Sequence, residues 1–227
     1  MIESTVFSNP RSSFIAVMVR AVVAAAATLC AVGAFAQVAT GPREGVNYSV
    51  VKPVQTTDAP AGKVEVIEFF GYWCPHCNDF EPVMSDWAKR NEAKVATVYV
   101  PIPLGFRAGA ESGLQRLYYT LDLLGKEKEL RRKVFSSIHV DHTLPTSPDT
   151  GTMAAWAEKN GIDKKKFIDT YNSFTVQTKV NRANQMAAAY GVTGVPMLGI
   201  GGKYLLNVDA RSIGNADVFV SRVVSEK

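Results

Sequence analysis

Cysteine is scarce in this chain, with three in 227 residues. No second pair accompanies Cys74 and Cys77, which argues against a zinc site, since His139 and His142 sit in a helical stretch far along the sequence. The residue after Cys77 is Asn78 and not histidine, which excludes attachment of a c-type haem. Long runs of one charge are also missing: 25 basic and 21 acidic residues leave a net charge of +4, so nothing suggests a nucleic-acid binder. After residue 36 no apolar stretch is long enough to span a bilayer. There is no internal repeat and no low-complexity tract. The expectation is a chain with neither metal nor cofactor.

What is present is a globular composition, 47% apolar and 20% charged, suited to one domain or a domain with an insertion. The first 36 residues differ from the rest. Arg11 and Arg20 precede an alanine-rich apolar run from Ala21 to Val32, followed by Ala34-Phe35-Ala36. This reads as a secretory signal cleaved before Gln37, the alternative being an uncleaved anchor. Cleavage removes Cys30 and leaves Cys74 and Cys77 in an oxidising compartment. A bridge between such near neighbours closes a very small loop and constrains the unfolded chain little, so the pair reads as chemical and not as a staple.

Residues 37–62, rich in Gly and Pro, form an arm with one short strand-like run from Tyr48 to Val51. Lys63 to Phe70 is mostly apolar, as expected of a strand buried on both faces. Phe80, Val83, Met84 and Trp87 mark one face of a helix that follows Pro75, and Lys94 to Ile102 reads as a second strand. The spacing then predicts helices around Leu114–Leu121, Leu130–Ile138 and Met153–Ala157, one capped by Asp163, and one from Thr175 to Tyr190. Met197 to Ile200, a turn at Gly201-Gly202, Lys203 to Leu206 and a helix from Asn215 to Val224 close the chain. Residues 63–104 and 190–227 are thus expected to build one α/β unit, with residues 105–189 as an all-helical insertion.

A cysteine reacts as its thiolate, and a helix N-terminus favours that form through free N–H groups and the positive end of the dipole. Cys74 occupies such a position and Pro75 suits the first helical residue. Cys77, three residues on, shares the face of Cys74. This predicts an exposed attacking Cys74 and a less accessible resolving Cys77, with His76 further favouring the Cys74 thiolate. Phe70, Tyr72 and Trp73 beside the pair read equally as a surface for unfolded chains or as core. Glu68, inside an apolar strand, invites a functional reading because an unpaired buried charge is costly; the alternative is a surface glutamate.

The sequence Phe69-Phe70-Gly71-Tyr72-Trp73-Cys74-Pro75-His76-Cys77, with Gly194-Val195-Pro196 and Gly202-Lys203-Tyr204 downstream, resembles the bacterial periplasmic DsbA family. The resemblance covers nearly all of residues 46–227. It implies a thioredoxin fold with an inserted helical domain, an acidic Cys74 thiol and an oxidising Cys74–Cys77 disulfide donated to newly exported, cysteine-containing proteins. It also implies a cis Val195–Pro196 bond facing the cysteines, where residue-level reading alone prefers an ordinary loop proline, and hence a substrate-side role for Val195 and Pro196. Glu68 corresponds to an acid beneath the disulfide that moves protons to and from Cys77. Some relatives pair that acid with a lysine in the next strand, but Val95 to Val100 contains none and only Lys94 stands nearby. A monomer reoxidised by a DsbB-like inner-membrane partner completes the expectation. The rival activities are a disulfide isomerase or reductase of the same fold, and a non-catalytic holdase.

Overall fold

The strand leading to the cysteines, β2 (Val64–Phe70), is buried at every position because it has a strand on each side and a layer on each face. The computed structural model describes residues 41–103 and 113–226. The expected signal, its cleavage site, Cys30 and most of the loop after the second strand lie outside these residues. On one side β2 pairs in parallel with β3 (Val95–Pro101), reached through helix α1 (Pro75–Arg90). On the other it pairs antiparallel with β4 (Met197–Ile200), which turns back into β5 (Tyr204–Asn207). β1 (Tyr48–Val50) pairs antiparallel with β5, giving the order β1-β5-β4-β2-β3. Glu68 lies in the middle of this sheet, in register with Tyr99 of β3 and Leu198 of β4.

Gly201 and Gly202, with φ of +58° and +71°, make the β4–β5 turn. A side chain at Gly202 would run into the Gln55 carbonyl, which is where the arm lies against the turn, Gln55 N–H donating to Gly202 O at 2.9 Å. β1, β2 and β3 are one or two residues shorter than the apolar pattern suggests, β4 has the expected bounds, and β5 lies one residue further along the chain than expected.

Between β3 and β4 lie α2 (Gly113–Leu123), α3 (Glu127–His139), α4 (Thr150–Lys159), α5 (Lys164–Tyr171) and α6 (Phe174–Tyr190); α7 (Gly214–Ser225) follows β5. Asp149, Asp163 and Ser173 cap α4, α5 and α6 by accepting from the N–H groups of Thr152, Lys166 and Val176, which satisfies donors the helices leave open. On one face of the sheet Val64, Val66, Leu198 and Ile200 pack with Phe80, Met84 and Trp87 of α1 and Phe219 of α7. On the other, Ile67 and Phe69 join Leu117, Phe135, Val180 and Tyr190 from the helical segment. The inserted helices therefore share a core with the sheet, and both cysteines belong to that core.

Candidate active site

Cys74 is the N-cap of α1, in extended conformation, with Pro75 in the first helical turn. The turn before it is closed by Cys74 N–H donating to Gly71 O at 3.0 Å and by Gly71 N–H donating to Cys77 Sγ at 3.5 Å. Gly71 has no room for a side chain: a Cβ would come within 2.5 Å of the Trp73 indole nitrogen, which itself donates to Ile102 O. The two cysteines are free thiols. Cys74 is less exposed than the sequence suggests, at 4% against 0% for Cys77, because the loop before β4 leans over it. The Val195–Pro196 peptide in that loop is cis, and Val195 O lies 3.6 Å from Cys74 Sγ. Val195 is half-buried and Pro196 buried. Of the neighbouring aromatics, Phe70 and Tyr72 are 1% exposed and stack edge-on at 5.1 Å. They belong to the core, and only half-buried Trp73 offers any surface.

The thiols are driven in opposite directions. The Cys77 thiol donates toward Cys74 and is the main reason the Cys74 pKa falls to about 6. Burial opposes this, while the Cys77 and His76 backbone N–H groups, and then the His76 ring, favour the thiolate. For Cys77, burial comes first, followed by the hydrogen bond to Cys74 and its charge, and these raise its pKa far above that of a free thiol. His76 points to solvent, and its ring is the smallest of these contributions. His76→Ser is thus expected to raise the Cys74 titration midpoint by less than about one pH unit, since the backbone donors stay; thiolate absorbance against pH measures this.

Glu68 is 2% exposed, not an edge residue facing water. Burial pushes its pKa up to about 8, against a lowering by Arg131 and a further rise from Glu81 and Glu127. The missing lysine of the neighbouring strand is thus replaced from elsewhere. Lys94 is exposed at the far end of β3, while Arg131 of α3, bonded to Glu127 at 2.5 Å, lies over the Tyr99 ring at 3.1 Å. Sequence reasoning missed Glu81 and Arg131. Glu81 carries a readable signal, a charge four residues after Cys77 on a buried helix face beside Phe80 and Met84. Arg131 carries none, because its partner strand is distant in sequence.

A groove of about 460 Å³ opens beside the cysteine turn, lined by His76, Phe80, Val195, Pro196, Met197 and Arg211 among others.

The chain is similar to known proteins over most of its length. The DSBA-like thioredoxin domain matches residues 65–221. The thiol:disulfide interchange protein DsbA of Bordetella parapertussis is 41% identical over 80% of this chain and 83% of its own length, and that of Pseudomonas aeruginosa 36% identical over 81% and 83%. A crystal structure of a single-substitution variant of Pseudomonas aeruginosa DsbA superposes with a TM-score of 0.73 at 31% identity, over 81% of this chain and 99% of the other. Oxidoreductase DsbA from Xylella fastidiosa gives 0.72 at 28%, over 81% and 98%. With an N-capping cysteine at a Cys-Pro-His-Cys turn, a cis proline facing it and helices inserted into a five-stranded sheet, the chain belongs to the DsbA family of thioredoxin-fold thiol:disulfide oxidoreductases.

Proposed function

We propose that the protein is a disulfide donor of the periplasm, delivered by its N-terminal signal, with Cys74 as the attacked sulfur and Cys77 as the resolving one. The observation that carries this is the divergence of the two thiols, Cys74 lowered to about 6 and Cys77 raised. Near neutral pH Cys74 is mostly thiolate. The reduced form is stabilised by that charge, and a disulfide whose reduced form is stabilised is a stronger oxidant.

In the oxidised protein a substrate thiolate attacks Cys74 Sγ, the Cys74–Cys77 bond breaks, and Cys77 leaves with the electron pair. A Cys77 thiolate is disfavoured in its apolar site and takes a proton, for which Glu68, protonated near neutral pH, is the nearby source. A second substrate thiolate then attacks the substrate sulfur of the mixed disulfide and expels Cys74 as its stable thiolate. Two substrate thiols become one disulfide and the protein becomes the dithiol. Val195 and Pro196 hold the substrate segment beside Cys74, Pro75 sets the first helical turn, and His76 adds to the thiolate's stabilisation.

The substrates are cysteine-containing proteins, here proposed to be newly exported chains. The dithiol is returned to the disulfide by a DsbB-like membrane partner, and the enzyme works as a monomer. Among the described residues no helix is long and apolar enough to cross a membrane. Residues 63–104 and 190–227 act as the thioredoxin-like part and residues 105–189 as the insertion.

The test is the equilibrium of residues 37–227 with glutathione, following the Cys74–Cys77 bond. The expected potential lies well above that of the glutathione couple. A potential near that of thioredoxin would make the protein a reductase or isomerase and reverse the proposed direction of electron flow.

A further inference from the structure

The turn leading to Cys74 and the first turn of α1 each leave a backbone carbonyl short of a partner, and the same inserted helix fills both. Tyr72 is 1% exposed and its carbonyl sits inside the tight turn leading to Cys74; His139 of α3 meets it, Nε2 to O, at 2.8 Å. A carbonyl oxygen only accepts, so the imidazole carries its proton on Nε2. The second carbonyl belongs to Asn78. In an unbroken α-helix it would accept from residue 82, but residue 82 is Pro82, inside α1, which has no N–H. Arg132 of α3 donates to Asn78 O instead, at 3.0 Å.

Arg132, Phe135 and His139 lie three and four residues apart, on one face of α3. Phe135 packs between them on Tyr72, with ring centroids 4.9 Å apart, and the His139 ring stacks on Phe135. This face brackets the Cys74–Cys77 turn, with His139 bonded on the side before Cys74 and Arg132 on the side after Cys77.

We propose that His139 and Arg132 are positioning residues that hold the Cys74 turn in the geometry that stabilises its thiolate, so that the inserted helices set the redox poise of the site. The thiolate depends on the Cys77 thiol and on the N–H groups of His76 and Cys77, and charge stabilisation by fixed donors falls off once the donors move. Loosening either end of the bracket lets Cys74 drift from them. The inference rests on Cys74 being the exchanging thiol. Disulfide transfer surviving in Cys74→Ser would remove that reading itself, independently of the variants below.

The experiment measures Cys74 thiolate titration and the glutathione equilibrium in His139→Leu, His139→Gln, Arg132→Ala, Pro82→Ala and the Pro82→Ala/Arg132→Ala double variant. His139→Leu is expected to raise the titration midpoint and to make the disulfide less oxidising by roughly 3- to 10-fold in the equilibrium constant, the scale of one lost hydrogen bond. His139→Gln, whose amide N–H can still donate, stays within about twofold of the parent. Arg132→Ala moves both readouts the same way, and Pro82→Ala, by restoring an N–H for Asn78 O, suppresses that effect in the double variant. If His139→Leu fails to fold, the arginine and proline variants carry the test. Titration and equilibrium unchanged in folded His139→Leu, or an Arg132→Ala effect that Pro82→Ala leaves intact, would overturn the proposal.

Discussion

Replacing Cys77 with alanine is expected to raise the Cys74 titration midpoint from about 6 by roughly one to two pH units, a larger change than any substitution of His76 produces. The physical reason is the order of the stabilising contributions. The thiol hydrogen bond from Cys77 is first among them, the helix N–H groups come after it, and the imidazole comes last. Alanine removes the first and leaves the others. The same variant should hold Cys74 longer in mixed disulfides with substrate proteins, because the intramolecular attack by Cys77 is lost and only a second substrate thiolate can release it. Thiolate absorbance against pH reads the first effect and non-reducing electrophoresis the second. A midpoint unmoved by Cys77→Ala would place the stabilisation in the helix terminus alone.

The second large effect concerns Glu68. Its pKa is raised in the folded protein from an ordinary 4.5 to about 8, so the native state holds a proton that the unfolded chain releases. The stability associated with that proton is fully present below about pH 4.5 and is lost as pH rises through about 8. Across that window the unfolded state gains from ionising the carboxyl while the folded state does not. Glu68→Gln removes this dependence and should stabilise the protein by about 3 kcal/mol at pH 7, with little effect near pH 4. Urea unfolding at several pH values measures it. Glu65 and Glu81, also raised by burial, leave a residual slope of the same sign. The amide has no acidic proton to give to the departing Cys77, so disulfide donation should slow at the same time by at least about tenfold. A variant that is more stable and slower separates proton supply from structural support. A variant that is more stable and equally fast would leave Glu68 no part in the exchange.

The helix elements were readable because their signals are local. Periodic apolar residues placed α1 and the inserted helices, Asp163 announced the start of α5, and Gly191, at φ +72°, ends α6 where the pattern stops. The Cys-Pro-His-Cys turn was equally readable, since Cys74, Pro75 and Cys77 are neighbours whose spacing alone puts them on one turn of helix. Local pattern could not tell how far Cys74 is covered, because the covering atoms belong to Val195, distant in sequence. Nor could it decide that Phe70 and Tyr72 are core, since their packing partners Tyr118 and Phe135 come from the insertion.

Glu68 shows the division most clearly. A carboxylate in an apolar strand could be recognised as costly from Val66-Ile67-Glu68-Phe69-Phe70 alone, but its pKa depends on which charges surround it. The neighbouring strand supplied no lysine, and the compensating cation came from Arg131, more than sixty residues away in the chain. The sequence by itself determined the reactive pair, the order of the elements and the helix N-terminus beneath Cys74, because each depends on residues within one turn or one strand. The tertiary structure alone decided the exposure of Cys74, the ionisation of Glu68 and the bracketing of the cysteine turn by α3, because burial and electrostatic interaction act between residues adjacent in space, wherever they stand in the chain.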